Sequence, residues 1–359
     1  MGLFLLVLVF NQAQIFSVTS LLEEKTMQYS EASKPALLAV TIINDDACKD
    51  CTSVALIPAT LKKNGANITS QKSVSHDSVE GKALIAKYGI TNVPAIVVTG
   101  EINKTDNQGF EVKDNALVYS QKQPPYLDLK QNKVVGRVTL TIINATSCKD
   151  CTDVMPLVSN LKGIGVAFEK TIVYDANSQN GKALIQKYAL KEVPTVILSG
   201  DISVYPQVTQ AWPQLGTVET DGMYVMRTVS PPYLDLTDGK VKGLASLIYL
   251  NDSTCKDCYD VTEHKIILQQ SFGMKFSSVK SVDVSSTEGK ALVKKYDITA
   301  VPTPLIGSAS VYKQLTGAWT QVGSIEKDGT YIFRNFDQWP GHAYKNLTTG
   351  KVVPNPSTQ

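Results

Sequence analysis

The tetrapeptide Cys-Lys-Asp-Cys stands at residues 48–51, returns at residues 148–151 and occurs a third time at residues 255–258. Each copy is followed by Gly-Lys-Ala-Leu, at Gly81, Gly181 and Gly289, and then by a Val-Pro pair. The first cysteine precedes that proline by 46, 46 and 47 residues. Successive copies are 100 and 107 residues apart, which is the length of a domain rather than of a solenoid repeat. The chain therefore contains three copies of one domain-sized unit.

The composition of the 359 residues is that of a folded protein. Hydrophobic residues make up 43% of the chain and charged residues 19%, which is too little charge for a disordered protein. Thirty-five Lys and Arg against 33 Asp and Glu give a net charge of +2. No basic excess exists to neutralise a phosphate backbone, so we expect no binding to nucleic acid.

The secondary-structure pattern is the same in each copy. An apolar, β-branched run opens the copy and predicts a buried strand, at residues 37–43, 138–143 and 244–250. After the cysteine pair, apolar residues at helical spacing predict a helix, as in residues 154–161. A strand, a second helix and a strand opened by Val-Pro complete the order β-α-β-α-β. A β-hairpin should follow, with its turn at Asp114-Asn115, Asp221-Gly222 and Asp328-Gly329.

A Cys-x-x-Cys between a strand and a helix, followed by a second β-α-β segment opened by a proline, resembles the thioredoxin-like superfamily. This superfamily includes glutaredoxins and the disulfide oxidoreductases of oxidising compartments. The resemblance covers residues from about 36 to 350, three times over. It implies an α/β fold of three tandem thioredoxin-like domains, each with a mixed central sheet flanked by helices. We expect the domains at residues 36–135, 136–242 and 243–359, after an N-terminal apolar helix within residues 1–35.

The resemblance also implies roles for the site residues. In that family the first cysteine attacks, the second resolves the mixed disulfide, and the proline is cis and faces the pair. The attacking residues would be Cys48, Cys148 and Cys255, and the resolving residues Cys51, Cys151 and Cys258. The substrate-binding edge would be formed by Val93, Pro94, Val193, Pro194, Val301 and Pro302.

Physical chemistry supports redox activity at these pairs. Two cysteines three residues apart on the first turn of a helix can form a disulfide, and the helix N-terminus stabilises a thiolate. The lysine between them adds positive charge, whereas the aspartate opposes it, so we expect an intermediate redox potential. A cis proline also leaves the backbone of the preceding valine free to pair with an extended substrate.

The chain departs from thioredoxins proper in the first strand, beneath the pair. Where those proteins carry an acidic residue, this sequence has Ile42, Ile142 and Tyr249, so a buried proton acceptor is missing. The Trp-Cys-Gly-Pro-Cys form is also missing. These differences argue against fast reductase turnover but not against the fold. Four aromatic residues fit either a peptide groove beside the Val-Pro strand or packing in the core: Trp212, Trp319, Tyr205 and Tyr312.

Two other roles for the cysteines are open. As structural staples they would be inefficient, because a Cys-x-x-Cys closes a very small loop and constrains the unfolded chain weakly. A zinc site built from two pairs would need pairs that are about 100 residues apart in sequence to meet. We therefore expect no metal and no organic cofactor. The histidines His76, His264 and His342 have no equivalents in the other copies and are expected to be surface or hydrogen-bonded polar residues.

The N-terminal residues 2–10 form an apolar run that is too short to span a bilayer. Its length is that of a signal-peptide core, although no Lys or Arg precedes it. A secretory signal, a membrane anchor reaching about residue 22 and a helix packed on the protein or on a neighbouring subunit are all open. Five Asn-x-Ser/Thr sequons are compatible with export, at Asn67, Asn103, Asn144, Asn251 and Asn346.

The sequence thus favours an extracytoplasmic thiol–disulfide oxidoreductase, exported or membrane-anchored. Its substrates would be cysteine-containing proteins, served by an unidentified redox partner. The alternative is a non-catalytic repeat scaffold at the cell surface, homo-oligomeric or protein-binding, in which the disulfides are staples. A catalyst needs an exposed, readily exchanged disulfide, whereas a scaffold needs a buried and resistant one.

Overall fold

The computed structural model describes Lys25 and the continuous stretch from Lys34 to Pro354. The N-terminal helix expected within residues 1–35 falls almost wholly outside these residues and stays a prediction. Contacts divide the chain into two compact units. The first unit holds the chain through Arg137 together with Gly165–Ala167 and Asp201–Tyr205. The second unit holds Val138–Ile164, Phe168–Gly200 and the chain from Pro206 onward.

The first repeat begins with a β-α-β-α segment and ends with short strands. Its elements are β1 (Leu37–Asn44), α1 (Leu56–Lys63), β2 (Asn67–Ser75), α2 (Val79–Tyr88), β3 (Asn92–Val93), β4 (Ala95–Gly100), β5 (Glu111–Lys113), β6 (Ala116–Ser120), β7 (Tyr126–Asp128) and β8 (Lys133–Val135). The main sheet has the order β2-β1-β4-β6-β5, and β3-β7-β8 form a small second sheet. Strand β1 runs parallel to β2 and antiparallel to β4.

The second and third repeats follow the same plan with one added helix each. The second repeat comprises β9 (Arg137–Asn144), α3 (Met155–Gly163), β10 (Ala167–Asp175), α4 (Gln179–Tyr188), β11 (Glu192–Val193), β12 (Thr195–Gly200), α5 (Pro206–Leu215), β13 (Gly216–Val218), β14 (Tyr224–Met226), β15 (Tyr233–Asp235) and β16 (Lys240–Lys242). The third comprises β17 (Leu244–Asn251), α6 (Glu263–Phe272), β18 (Lys275–Asp283), α7 (Thr287–Tyr296), β19 (Ala300–Val301), β20 (Thr303–Gly307), α8 (Lys313–Trp319), β21 (Gly323–Ile325), β22 (Tyr331–Phe333), β23 (Tyr344–Asn346) and β24 (Val352–Val353).

The topology confirms the expected fold. The main sheets of the later repeats have the orders β10-β9-β12-β14-β13 and β18-β17-β20-β22-β21, which match that of the first. A parallel β-α-β unit joined to an antiparallel hairpin in this order is the thioredoxin-like arrangement. The chain therefore folds as three tandem thioredoxin-like α/β domains. The expected boundaries between them stay a prediction.

Helices of the first repeat pack on both faces of its main sheet, and β1 contributes core residues to each face. In the first repeat, Leu38 and Val40 belong to a core cluster that includes Leu61 of α1. Ile43 on the opposite face belongs to a second cluster with Tyr88 of α2. Burying one such side chain contributes about 1.5–3 kcal/mol, so the cores on the two faces stabilise the packing of both helices on the sheet.

The Gly-Lys-Ala-Leu motif forms the first turn of the second helix in every repeat. The hydroxyl of Ser178 caps α4 by accepting a hydrogen bond from the Gly181 amide at 3.0 Å. A Cβ at Gly181 would lie 2.0 Å from the carbonyl oxygen of Asp175, so only glycine fits against the end of β10. Ser78 and Gly81, and Ser286 and Gly289, repeat this arrangement. The motif therefore recurs for structural reasons.

The two repeat-specific tryptophans are core residues. Trp212 of α5 is 1% exposed and Trp319 of α8 is 5% exposed. Their indole N–H groups donate to the carbonyl oxygens of Thr217 and Ser324, each at 3.1 Å. They thus fasten the added helix to the hairpin that follows. Of the two roles left open by the sequence, the structure confirms packing.

The start of the third repeat packs on a pair of prolines. Gly243 has a φ of +85°, and a Cβ there would lie 2.4 Å from Pro231 Cβ and 3.2 Å from Pro232 Cα. The Tyr312 hydroxyl donates to the carbonyl oxygen of Gly243 at 2.6 Å. The tight packing and the hydrogen bond together fix the chain as it leaves the second repeat.

We expect Gly243→Ala to destabilise the second unit more than Gly239→Ala does. Both glycines have positive φ, which costs a non-glycine residue about 1–2 kcal/mol, but Gly239 has nothing within 4 Å of its Cβ position. Crowding at Gly243 should add about 1–3 kcal/mol. All three tryptophans of the chain lie in this unit, so urea unfolding followed by tryptophan fluorescence measures the difference. Equal losses for the two variants would contradict the packing argument.

Candidate functional site

All six cysteines of the chain form disulfides within their own Cys-Lys-Asp-Cys turns. Each turn follows the first strand of its repeat, and the paired Cα atoms are 5.4, 5.4 and 5.5 Å apart in chain order. Cys48 is buried, at 8% exposure, whereas the other five cysteines are half-buried. The attacking position of the first repeat is therefore the least accessible of the three.

The expectation that the cysteines lie on the first turn of a helix is wrong. Helix α1 begins at Leu56, α3 at Met155 and α6 at Glu263, which are five, four and five residues after the second cysteine. The cause is a hydrogen bond that diverts the chain. In a helix that began at Cys148, the Thr152 amide would donate to the carbonyl oxygen of Cys148, but it donates instead to that of Pro232, at 2.7 Å.

The same diversion occurs in the other two repeats. The amide of Thr52 donates to the carbonyl oxygen of Pro125 at 2.7 Å, and that of Tyr259 to Ala343 at 3.0 Å. The charge effect of a helix terminus falls off within about one turn. The helix dipole therefore cannot supply the thiolate stabilisation that the sequence suggested.

The proline after the second helix is cis in every repeat, as the family resemblance implied. The cis bonds are Val93-Pro94, Val193-Pro194 and Val301-Pro302. In the third repeat, the Sγ of Cys258 lies 3.9 Å from the carbonyl oxygen of Val301, so the proline loop faces the disulfide. Two further cis bonds, Pro124-Pro125 and Pro231-Pro232, were not anticipated from the sequence.

The valine before each cis proline is already paired within the chain. Val93 pairs with Leu127 of β7, Val193 with Leu234 of β15 and Val301 with Lys345 of β23. The expectation of a free backbone edge at these valines is therefore wrong, because a short strand occupies it. The assignment of these residues to substrate binding stays a prediction.

An open cleft brings the disulfide and the cis proline of the second repeat together. The cleft has a volume of about 470 Å³, and its lining includes Cys148, Cys151 and Pro194. Ile142 and Met155 add an apolar wall. Ile142 is 5% exposed and occupies the position at which thioredoxins proper carry an acidic residue. That strand position therefore contributes no carboxylate to the cleft.

In the third repeat, two polar residues lie together beside the disulfide. The sequence analysis did not link them. Tyr259, next to Cys258, and His264 of α6 are both buried, and their Oη and Nε2 atoms are 2.9 Å apart. The Tyr259 hydroxyl also donates to the carbonyl oxygen of Pro302, the cis proline, at 2.8 Å. The Tyr259 hydroxyl has one proton, which it donates to Pro302. The Nε2–H of His264 must therefore donate to the Tyr259 oxygen.

Aromatic residues enclose this pair. His264 stacks on Trp339, with ring centroids 4.5 Å apart and an interplanar angle of 16°. The pKa of His264 is lowered to about 4, mainly by burial and to a smaller extent by the charge of His342. Burial also raises the pKa of Tyr259 well above its usual range. The sequence contained a signal for a buried histidine, because His264 occupies the position at which the second repeat has the apolar helical residue Leu157.

Of the other two histidines, His342 makes a polar contact, whereas the Nδ1 of His76 is buried and has no hydrogen-bond partner among the described residues, so the expectation is wrong for His76. The Nε2 of His342 lies 3.1 Å from a carboxylate oxygen of Glu263. His76 is half-buried beside Asp45, at 3.8 Å. Among Lys25 and Lys34–Pro354, no group of three or more His, Cys, Asp or Glu residues is arranged to hold a metal ion. In the same residues, no helix is both long enough and apolar enough to cross a bilayer.

No protein-family profile and no curated protein sequence matches the chain. Solved structures give remote matches. Human ERp44 has 17% identity over 79% of this chain and 81% of its own, with a TM-score of 0.14. Form II of ERdj5 has 12% identity over 76% of this chain, which spans 38% of ERdj5, with a TM-score of 0.15. A domain of alkylhydroperoxide reductase AhpF from Enterococcus faecalis has 15% identity over 50% of this chain and 90% of its own, with a TM-score of 0.15.

We expect the third repeat to lose stability as the pH falls from 7 to 4. The folded state keeps His264 neutral with a pKa of about 4, whereas the unfolded state binds a proton near the ordinary value of 6.5. Stability present above pH 6.5 is therefore lost through this window, by about 3 kcal/mol in total. Urea unfolding followed by tryptophan fluorescence at several pH values measures the loss. The control is His264→Leu, which copies Leu157 and should remove this contribution; a slope unchanged in that variant would refute the assignment.

Proposed function

We propose that the chain is a thiol–disulfide oxidoreductase that exchanges disulfides with cysteines of other proteins at its second and third repeats. The observation that carries the proposal is the cleft in which Cys148, Cys151 and Pro194 meet. A disulfide next to a cis proline, in an open cleft without a metal ligand cluster among the described residues, is suited to exchange with a sulfur that enters from outside.

The exchange can be written for a substrate dithiol and the oxidised pair. A substrate thiolate attacks the Sγ of Cys148, the Cys148–Cys151 bond breaks, and Cys151 leaves as a thiolate that takes up a proton. The second substrate thiol then loses its proton and attacks the mixed disulfide, which releases Cys148. The substrate loses two electrons and two protons, and the pair gains them. A partner disulfide returns the pair to its oxidised form, and the reverse sequence reduces a substrate.

The first repeat is proposed to be the least active of the three. Cys48 is buried, and its Sγ lies 3.6 Å from a carboxylate oxygen of Asp50. An attacking thiolate would have to reach this sulfur through a buried surface. The disulfide of this repeat therefore fits the role of a staple better than those of the other two.

One observation favours the scaffold as a second candidate for the whole chain. The helices begin four or five residues after the second cysteines, so no helix N-terminus lowers the cost of forming a thiolate. In the scaffold, all three pairs would remain oxidised below about −300 mV. A catalyst would have potentials between roughly −120 and −270 mV.

Trapping of mixed disulfides tests the proposal. Cys151→Ser leaves Cys148 to attack without a resolving partner and should accumulate mixed disulfides with protein thiols, whereas Cys148→Ser should trap several-fold less. Cys258→Ser and Cys255→Ser should behave likewise. Non-reducing gels and mass spectrometry measure the adducts, and Cys51→Ser in the buried first repeat is the matched control. Equal trapping by both members of a pair would contradict the assigned order.

A glutathione titration with alkylation of each pair separates the two candidates. Pairs of the second and third repeats that exchange within the catalytic range support the oxidoreductase. If all three pairs stay oxidised below about −300 mV, the scaffold is the correct function.

We also propose that the chain acts outside the cytoplasm, as a secreted or anchored protein. Two features support this location: every cysteine is in a disulfide, which persists in oxidising compartments, and residues 2–10 have the composition of a signal core. The double variant Leu5→Asp/Val7→Asp places two charges in that run and should block export. Alkaline phosphatase fused to the C-terminus would then stay inactive when the fusion is expressed in a bacterial host. Unchanged phosphatase activity in the double variant would contradict export through this segment; Lys62→Asp is the control.

A further inference from the structure

The Cys-Lys-Asp-Cys turns of the first two repeats each receive a cation from the repeat that follows. Arg137, the first residue of β9, binds the turn of the first repeat. Lys275, the first residue of β18, binds the turn of the second repeat. The two residues come from different strands of the incoming repeat, so the contacts are independent observations of the same arrangement.

Arg137 neutralises the aspartate of the first turn. Its Nε and Nη2 groups donate to the two carboxylate oxygens of Asp50, at 2.9 and 2.7 Å. This bidentate hydrogen bonding lowers the pKa of Asp50. The same carboxylate lies 3.6 Å from the Sγ of Cys48, where its charge would otherwise oppose a thiolate. Arg137 therefore removes the unfavourable charge at that sulfur.

Lys275 places its ammonium group on the turn of the second repeat. The Nζ donates to the carbonyl oxygens of Asp150 and Cys151, at 3.0 and 3.4 Å. The backbone amide of Lys275 donates to the Tyr312 hydroxyl at 3.3 Å, and that hydroxyl donates to Gly243 at 2.6 Å. The start of β18 is thus tied to the junction between the repeats. A positive charge is held within one residue of the sulfur pair.

The third repeat provides an internal comparison, because lysines of its own bind the residues just before its turn. The Nζ of Lys345 lies 2.6 Å from a carboxylate oxygen of Asp252, and that of Lys256 lies 3.4 Å from the carbonyl oxygen of Ser253. Both contacts are made before the first cysteine of the pair. A change at Arg137 or Lys275 should therefore leave this third disulfide unaffected.

We propose that Arg137 and Lys275 are positioning residues that set the redox potential of the disulfide in the preceding repeat. They take the place of the helix N-terminus that is displaced from these turns. The inference deepens the proposed function and rests on it for its use in exchange, but the potential itself is measurable without a protein substrate. Each repeat after the first then tunes the chemistry of the one before it.

The redox step can be balanced with glutathione as reductant. Two glutathione thiols lose two electrons and two protons and form one disulfide, while the Cys148–Cys151 bond breaks and the two sulfurs gain them. A nearby positive charge favours the product in which one sulfur stays a thiolate and its proton goes to water. The cation therefore favours reduction, and its removal should leave the disulfide harder to reduce.

The test removes the charge of Lys275 and keeps a hydrogen-bond donor. In full-length Lys275→Gln at pH 7 and low salt, the equilibrium constant for reducing Cys148–Cys151 by glutathione should fall about 3- to 10-fold, as for a partly screened unit charge. A tenfold change corresponds to 29.6 mV. The pH profile for alkylation of reduced Cys148 should also move to higher pH. Peptide mass spectrometry after alkylation resolves each pair.

Matched variants separate charge from structure. Lys275→Arg should restore both readouts, and Lys280→Gln, on the same strand but paired with Glu288, should leave them unchanged. Arg137→Gln should make Cys48–Cys51 harder to reduce by a similar factor and leave Cys148–Cys151 alone.

Each result decides the inference. An unchanged constant in Lys275→Gln, an equal shift in all three pairs, or a failure of Lys275→Arg to restore it would overturn the role of Lys275. If the constant shifts as expected but Cys151→Ser traps no partner, the tuning holds and the proposed exchange with proteins fails. If trapping succeeds without a shift, the proposed function stands and the inference fails.

Discussion

The sites depend on one backbone hydrogen bond in each repeat. The amide of the residue after the second cysteine donates it to a carbonyl oxygen near the end of the same repeat. In the second repeat, the Thr152 amide reaches the carbonyl oxygen of Pro232 at 2.7 Å, and the first and third repeats repeat this bond. The bond keeps the disulfide turn out of the helix and holds it beside the short sheet that carries the cis proline. It also links the turn to the proline pair on which the next repeat begins.

The local patterns were sufficient to predict the fold. The β-branched first strands, the apolar spacing of the helices and the hairpin turns each depend on neighbours in sequence, which a periodicity argument detects. The helix start could not be predicted because the acceptor that displaces it, Pro232, lies far along the chain from Thr152. The occupied valine edge was missed for the same reason, since β15 comes from the end of the repeat. In both cases a distant backbone group overrode a local preference.

The third repeat differs from the other two at several positions that lie in contact with one another. Where the earlier repeats have the pairs Pro124-Pro125 and Pro231-Pro232, it has His342-Ala343, and Tyr259 bonds to Ala343. Aromatic rings then fill the space beside the turn, with His264 stacked on Trp339. A buried imidazole in such a place must stay neutral and find a hydrogen-bond partner, which Tyr259 supplies. The position of Leu157 in the second repeat shows that the helix itself needs only an apolar residue there.

Three identical tetrapeptides thus lie in three different environments, and their chemistry should differ accordingly. In the first repeat Arg137 neutralises Asp50, which favours a thiolate, but Cys48 is buried and poorly accessible to a substrate thiol. In the second repeat a cation and an open cleft occur together. In the third, the disulfide adjoins a buried aromatic cluster, and its lysines bind upstream of the pair. Since reactivity requires both access and stabilisation of a thiolate, the second repeat combines the two conditions.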